Sequence, residues 1–150
     1  MKELILEHLK QAVPFANHVG VELLSMEEGK GEARLEERPQ GLNHVATHHA
    51  GALFTLAEAA SGAAMAGTFA SVLTTVRPVA ANASIRYLRP ARGTITAAAR
   101  IDGSADDLLA RLKDAGKVQF RVSVVLRNED MKEVASMDVD WNVSTLRTAA

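Results

Sequence analysis

The 150-residue sequence contains no cysteine. That excludes disulfide staples and thiol chemistry, and it fits a reducing compartment. It also carries almost no net charge, −1 at neutral pH, so nothing electrostatic favours nucleic acid or an acidic membrane surface as a partner. No clean apolar block follows the N-terminal MKELILEHLK. A secretory leader needs one, so a cytoplasmic location is expected. No internal repeat, low-complexity tract or interdomain linker interrupts the chain. With 47% hydrophobic and 23% charged residues, residues 1–150 read as one globular domain with enough chain for a sizeable core.

What is present centres on Asn43 to Phe69, NHVATHHAGALFTLAEAASGAAMAGTF. A polar, histidine-rich lead-in (Asn43, His44, His48, His49) runs into a long stretch of Ala, Leu, Met and Phe. Ala and Leu are the best helix formers, and a helix apolar on nearly every side is a buried one. Ala50 to Ala70 is long enough to raise a membrane span. Weakly hydrophobic alanines, three glycines and a central acid argue against that reading. Between Ala50 and Phe69 the single ionisable side chain is Glu58. Burying a carboxylate is costly unless it is paired or performs chemistry.

The remainder divides by periodicity. Ile5, Leu9, Ala12 and Val13 are spaced for an amphipathic helix over Lys2 to Val13, stopped by Pro14. Phe15 to Gly20 reads as a connector. Val19, Val21 and Leu23 alternate as a half-buried strand, and a turn at Glu28–Gly31 leads into Ala33 and Leu35, making a hairpin. After the central helix, alternating faces recur at Ala83–Tyr87, Ile95–Ile101, Val118–Leu126 and Ala135–Val143. Ser104 followed by Asp106 and Asp107 is an N-cap signal, and Gly116 ends that short helix. The expected architecture is α+β, with five or six largely antiparallel strands curled around one long helix.

The lead-in and helix, NHVATHHAGALFTLAE, resemble the hotdog-fold thioesterases of the phenylacetate-pathway and human thioesterase-superfamily type. Those proteins carry an Asn, then His-Gly-Gly, then an acid nine positions after the His. SIRYLRPARG resembles the strand after the central helix in the same family, and the likeness extends over Val19 to Val143. The helical insert at Ser104 to Gly116 is similar to a less characterised branch. The resemblance implies an acyl-CoA thioesterase that takes a coenzyme A thioester as substrate and needs no cofactor. It implies that Glu58 is nucleophile or general base, that Asn43 positions water or substrate, that His49 precedes the helix start, and that the Ala50 N–H polarises the thioester carbonyl. This chain departs from the pattern in having Ala50 for the first Gly, Glu58 for Asp, and Ala80 with Asn82 nearby where some relatives place a Ser.

The chemistry can also be argued from the residues. Thioester hydrolysis builds negative charge on the carbonyl oxygen, and free N–H groups at a helix N-terminus are suited to hold it. Ala50 and Gly51 would supply them. A base or carboxylate nucleophile is also needed, and Glu58 is the helix's one acid. Eight residues separate Ala50 from Glu58, about 12 Å along a helix axis. Two antiparallel helices related by a twofold would set Glu58 of one subunit against the Ala50 end of the other. A homodimer or dimer of dimers is therefore expected, with the acyl chain between two subunits.

Each residue has a plainer reading. Glu58 could be a structural acid bonded to backbone or paired with an arginine. His49 could cap the helix, and Asn43 could be a turn residue. His44, His48 and His49 invite a metal, but a loop without Cys, Asp or a His-Glu-x-x-His helix argues against one. Arg86, Arg89 and Arg92 could meet coenzyme A phosphates, though solvated strand and turn positions are the commoner role. Gly62 and Gly67 are not followed by the Lys-Ser or Lys-Thr of a phosphate loop, and close packing is expected there. Two rivals to hydrolysis remain: a hotdog enoyl-CoA hydratase or dehydratase, whose His-Phe-Pro-rich lead-in is missing here, and a non-catalytic acyl-CoA binder or sensor.

Overall fold

The structure, a computed structural model, describes residues 1–147. Two helices open the chain, α1 (Lys2–Ala12) and α2 (Pro14–Val19). The hairpin β1 (Val21–Glu27) and β2 (Lys30–Leu35) follows, then the long helix α3 (Ala50–Thr68). Strands β3 (Val76–Tyr87) and β4 (Ile95–Ile101), helix α4 (Ala105–Ala115), and strands β5 (Lys117–Arg127) and β6 (Glu133–Thr145) complete it. The six strands form one sheet in the order β1-β2-β4-β5-β6-β3, antiparallel at every pairing.

Helix α3 lies against β1, β2, β4, β5 and β6, so the sheet wraps it. Its alanines make the approach close. Ala57, Ala60, Ala64 and Ala66 are fully buried. Two glycines bring backbones nearer still. A methyl at Gly31 would lie 2.6 Å from the Ala60 carbonyl oxygen, and one at Gly67 would lie 2.1 Å from that of Glu27. Only glycine fits either place. Gly62 differs from the close-packing expectation: a methyl there would meet nothing nearer than Trp141 at 3.6 Å, an ordinary contact.

Strands β5 and β6 follow their alternation. Val118, Phe120, Val122, Val124 and Leu126 point into the core opposite Met137, Val139, Trp141 and Val143. The outer face carries polar pairs such as Arg121 with Asp140 and Ser123 with Asp138. Helix α4 begins with Ser104 accepting from the Asp107 N–H and ends at Gly116 with φ 75°. Strand β3 sits at a sheet edge beside β6, with a register shift between Ala80 and Asn82.

The N-terminal segment corrects the sequence reading. Phe15 to Gly20 is not a connector, and Val19 ends a helix rather than starting a strand. Pro14 forces Val13 into extended backbone, which ends α1. The same proline, with its preset φ, starts α2 from its N-terminal position, and Gly20 closes that helix at φ 99°. Helix α1 has no fully buried residue. Ile5, Leu6 and Leu9 rest half-buried on the body. No helix among the described residues is long and apolar enough to cross a membrane.

Candidate active site

The polar lead-in is a pinned loop. Asn43 Nδ2 donates to Thr47 Oγ1 at 2.8 Å and to the His48 carbonyl at 3.3 Å. Asn43 Oδ1 accepts from the N–H groups of Val45 and Thr47, both at 3.0 Å. Both donors and both lone pairs of the amide are thus engaged inside the loop, whose turn residue Ala46 takes φ 60°. Buried His48 ties the loop to the segment after β3: its N–H donates to the Ala91 carbonyl, and its Nε2 lies 2.7 Å from the Gly93 carbonyl oxygen. A carbonyl can only accept, so Nε2 carries the proton.

This loop delivers the start of α3 with one amide open. His49 is the N-cap, and its Nδ1 accepts from the Gly51 N–H at 2.8 Å. The N–H groups of Ala52 and Leu53 donate to the His49 carbonyl. Among the described residues the Ala50 N–H has no partner. Of the two donors expected at the helix start, Gly51 is therefore occupied by its own cap and Ala50 is free. Tyr87, the chain's one tyrosine, donates from its hydroxyl to the Ala50 carbonyl at 3.0 Å. Burial pushes its phenol up. Arg89 borders the same cleft, with Asn43, Ala50, Tyr87 and Pro90.

Glu58 lies elsewhere. It faces a largely apolar cavity of about 180 Å³, walled by Leu9 of α1 and Val13 after it, by Val21 and Leu23 of β1, and by Met65, Pro78 and Trp141; Asn17 and Lys10 also line it, and the Lys10 ammonium is paired with Glu7. Among the described residues its carboxylate has no hydrogen-bond donor and no ion-pair partner. Desolvation alone raises its pKa above the ordinary carboxylate value. Behind it, Ser61 Oγ donates to the Glu58 carbonyl at 2.7 Å and accepts from Trp141 Nε1 at 3.0 Å. That latch between α3 and β6 holds the helix turn that aims Glu58. From sequence, Trp141 and Tyr87 read as strand-face residues and Ser61 carries no signal, so the site contacts of all three come from the structure. The uniqueness of the tryptophan and tyrosine was the signal available for two of the three.

One chain does not bring these groups together. Glu58 opens, from the middle of α3, on the cavity under α1 and α2, while Asn43, His49 and Ala50 border clefts at the N-terminal end of that helix. The cause is geometric, because two residues eight apart on a straight helix cannot share one reacting carbon. The three histidines do not converge either: among the described residues no three His, Asp or Glu side chains come together as a metal-ligand set.

A family model for a domain of unknown function, DUF4442, matches residues 1–143. The chain belongs to the DUF4442 family. No curated protein sequence matches it. Solved structures do. Protein PA5026 of Pseudomonas aeruginosa, described as a probable thioesterase of unknown function, is 26% identical with TM-score 0.84, over 97% of each chain. The Escherichia coli PaaI protein of the phenylacetic acid degradation operon is 24% identical with TM-score 0.69, over 93% of this chain and 96% of its own. A Streptococcus mutans UA159 protein solved with acetyl-CoA is 24% identical with TM-score 0.66, over 86% of this chain and 92% of its own. This DUF4442 chain therefore has the hotdog fold of the thioesterase superfamily, with α3 as the wrapped helix.

Proposed function

We propose that the protein hydrolyses an acyl-CoA thioester to a free acid and coenzyme A at a site shared by two subunits. The observation that carries this reading is the Glu58 carboxylate: half-buried, unpartnered, raised in pKa by desolvation, and facing an apolar cavity. A purely structural acid would have a donor or a cation beside it. The probable-thioesterase description of PA5026 and the acetyl-CoA on the Streptococcus protein support the substrate class.

In this reading Glu58 of one subunit takes a proton from water, and the hydroxide attacks the thioester carbon. The Ala50 N–H of the other subunit, backed by the α3 dipole, holds the oxyanion. Collapse breaks the C–S bond, and the coenzyme A thiolate leaves to be protonated. Direct attack by Glu58 would instead give a mixed anhydride that water then cleaves. Asn43 and His49 act through the loop and cap that present Ala50. The free edge of β3 is where a second copy could extend the sheet and bring the two halves together.

The test is complementation. Glu58→Gln removes the base. Ala50→Pro removes the free N–H at a first-turn position where proline is tolerated, and His49, at ψ 140°, already has the backbone a following proline requires. Each variant alone should be inactive. Mixed, unfolded and reassembled, they should recover about a quarter of wild-type activity, since half the dimers are mixed and each mixed dimer keeps one intact site. No recovery from two folded, dimeric variants would refute the shared site.

A second reading, acyl-CoA binding without turnover, has one observation in its favour. The Gly51 N–H is held by His49, which leaves one oxyanion donor rather than two. Retention of acyl-CoA with no release of free thiol would establish it.

A further inference from the structure

The cavity beside Glu58 has a consequence for the substrate. Within one subunit α1 and α2 roof it, β1 lines one side, α3, Pro78 and Trp141 form the rest, and it opens on one side to the surface. Most of the lining is apolar: Leu9, Val13, Val21, Leu23 and Met65 surround one indole, and the polar groups are Glu58, Asn17 and Lys10, whose ammonium pairs with Glu7 at 2.8 Å. A dry apolar cavity of about 150 Å³ accepts a benzene-sized guest. This one measures about 180 Å³, so it holds roughly six to eight carbon atoms on that scale. Its ring-stacking surface is limited to Trp141, whereas flexible aliphatic walls suit a flexible chain.

We infer that this cavity is the acyl-tail site and that the protein selects straight aliphatic acyl groups of about six to eight carbons, with α1 and the α1–α2 junction supplying the specificity residues. The inference rests on the proposed hydrolysis for its carbonyl position, at Glu58. It places the tail against α1, α2 and β1 of the subunit that supplies the acid.

Two positions tune the cavity in opposite directions. Gly62 lines it, and a methyl there would stand 3.6 Å from Trp141, so alanine fits while taking up guest space. Alanine also favours the helix over glycine, so Gly62→Ala should melt no lower than wild type. Leu9 is half-buried on α1 and lines the same space, and Leu9→Ala enlarges it.

The experiment uses acetyl-, butyryl-, hexanoyl-, octanoyl-, dodecanoyl- and phenylacetyl-CoA. Hydrolysis is followed on wild type, Gly62→Ala and Leu9→Ala, and calorimetric binding of the same panel is measured on Glu58→Gln. Wild-type kcat/KM should peak at hexanoyl or octanoyl. Gly62→Ala should lower the octanoyl-to-butyryl ratio about tenfold, the scale of one methylene in an apolar pocket, and Leu9→Ala should move the peak to longer chains. A peak at acetyl, dodecanoyl or phenylacetyl, or length profiles unchanged in both variants, would overturn the inference. Binding separates it from the catalytic reading. Length-selective binding without turnover in wild type sinks hydrolysis and keeps the tail site. Turnover with length-independent binding does the reverse.

Discussion

At Glu58 the side chain is a base only when ionised, and burial without a partner raises the pH at which that happens. If it is the base, kcat/KM should climb with pH through a midpoint above the ordinary carboxylate value, and Glu58→Gln should lower it about 10²- to 10⁴-fold. Stability carries the same sign. A folded-state pKa above the unfolded one means that the folded chain holds the proton more tightly. The contribution is full below the unfolded pKa and is lost as pH rises through the folded value. Glu58→Gln, which cannot ionise, should therefore melt above wild type at neutral pH, with the gap closing in acid. Thermal melts at two pH values check it. A variant that melts lower at neutral pH would mean that the carboxylate has a stabilising partner. Asn43 poses the opposite case, with all four of its hydrogen-bonding positions inside the loop. Asn43→Ala should cost about 1–3 kcal/mol, the scale for orphaning such groups, measured by urea unfolding. Unchanged stability with lost turnover would instead put the amide at the substrate.

At the scale of elements, the decisive contact is α3 against the β1–β2 hairpin. The Gly29 N–H donates to Thr68 Oγ1 at 2.9 Å, and Gly67 lies against the Glu27 backbone. Gly67→Ala should gain about 1 kcal/mol in helix propensity and lose more, because backbone rather than a flexible side chain must move. Overpacking costs about 1–3 kcal/mol in general, and the upper part of that range is expected here. Thermal denaturation beside Gly62→Ala tests the pair: two glycines on one helix, the same substitution, opposite signs. Much of α3 was legible before the structure, since His49, the alanine run and the single acid are local signals. The short helix α2 was not, because a proline that ends one helix can also begin another, and the six residues Pro14–Val19 carry too little periodicity to reveal which.

For the whole molecule, the question is what becomes of β3. It is twelve residues long, pairs on one side with β6, and leaves its other side open, with Val79 39% exposed. Long open edges invite pairing, and lysine on an edge opposes it. If β3 is the edge of the proposed dimer, Val79→Lys should shift the protein toward monomer in light scattering and lower the proposed thioester hydrolysis in step, while circular dichroism stays unchanged. A monomeric wild type, or a monomeric variant with full turnover, would rule out the shared site.

The sequence by itself determined the elements that depend on near neighbours: the alanine-rich helix, the helix from Ser104 to Gly116, and the alternating strands β5 and β6. Capping, propensity and side-chain period act over a few residues and can be read in a line. Tertiary structure decided what depends on residues far apart in the chain. It set β3 at an edge, roofed the pocket at Glu58 with the first two helices, and latched Trp141 to Ser61 across 80 positions. It also decided that Ala50, and not Gly51, keeps its amide free, because the direction of one histidine ring is a matter of geometry that no spacing encodes.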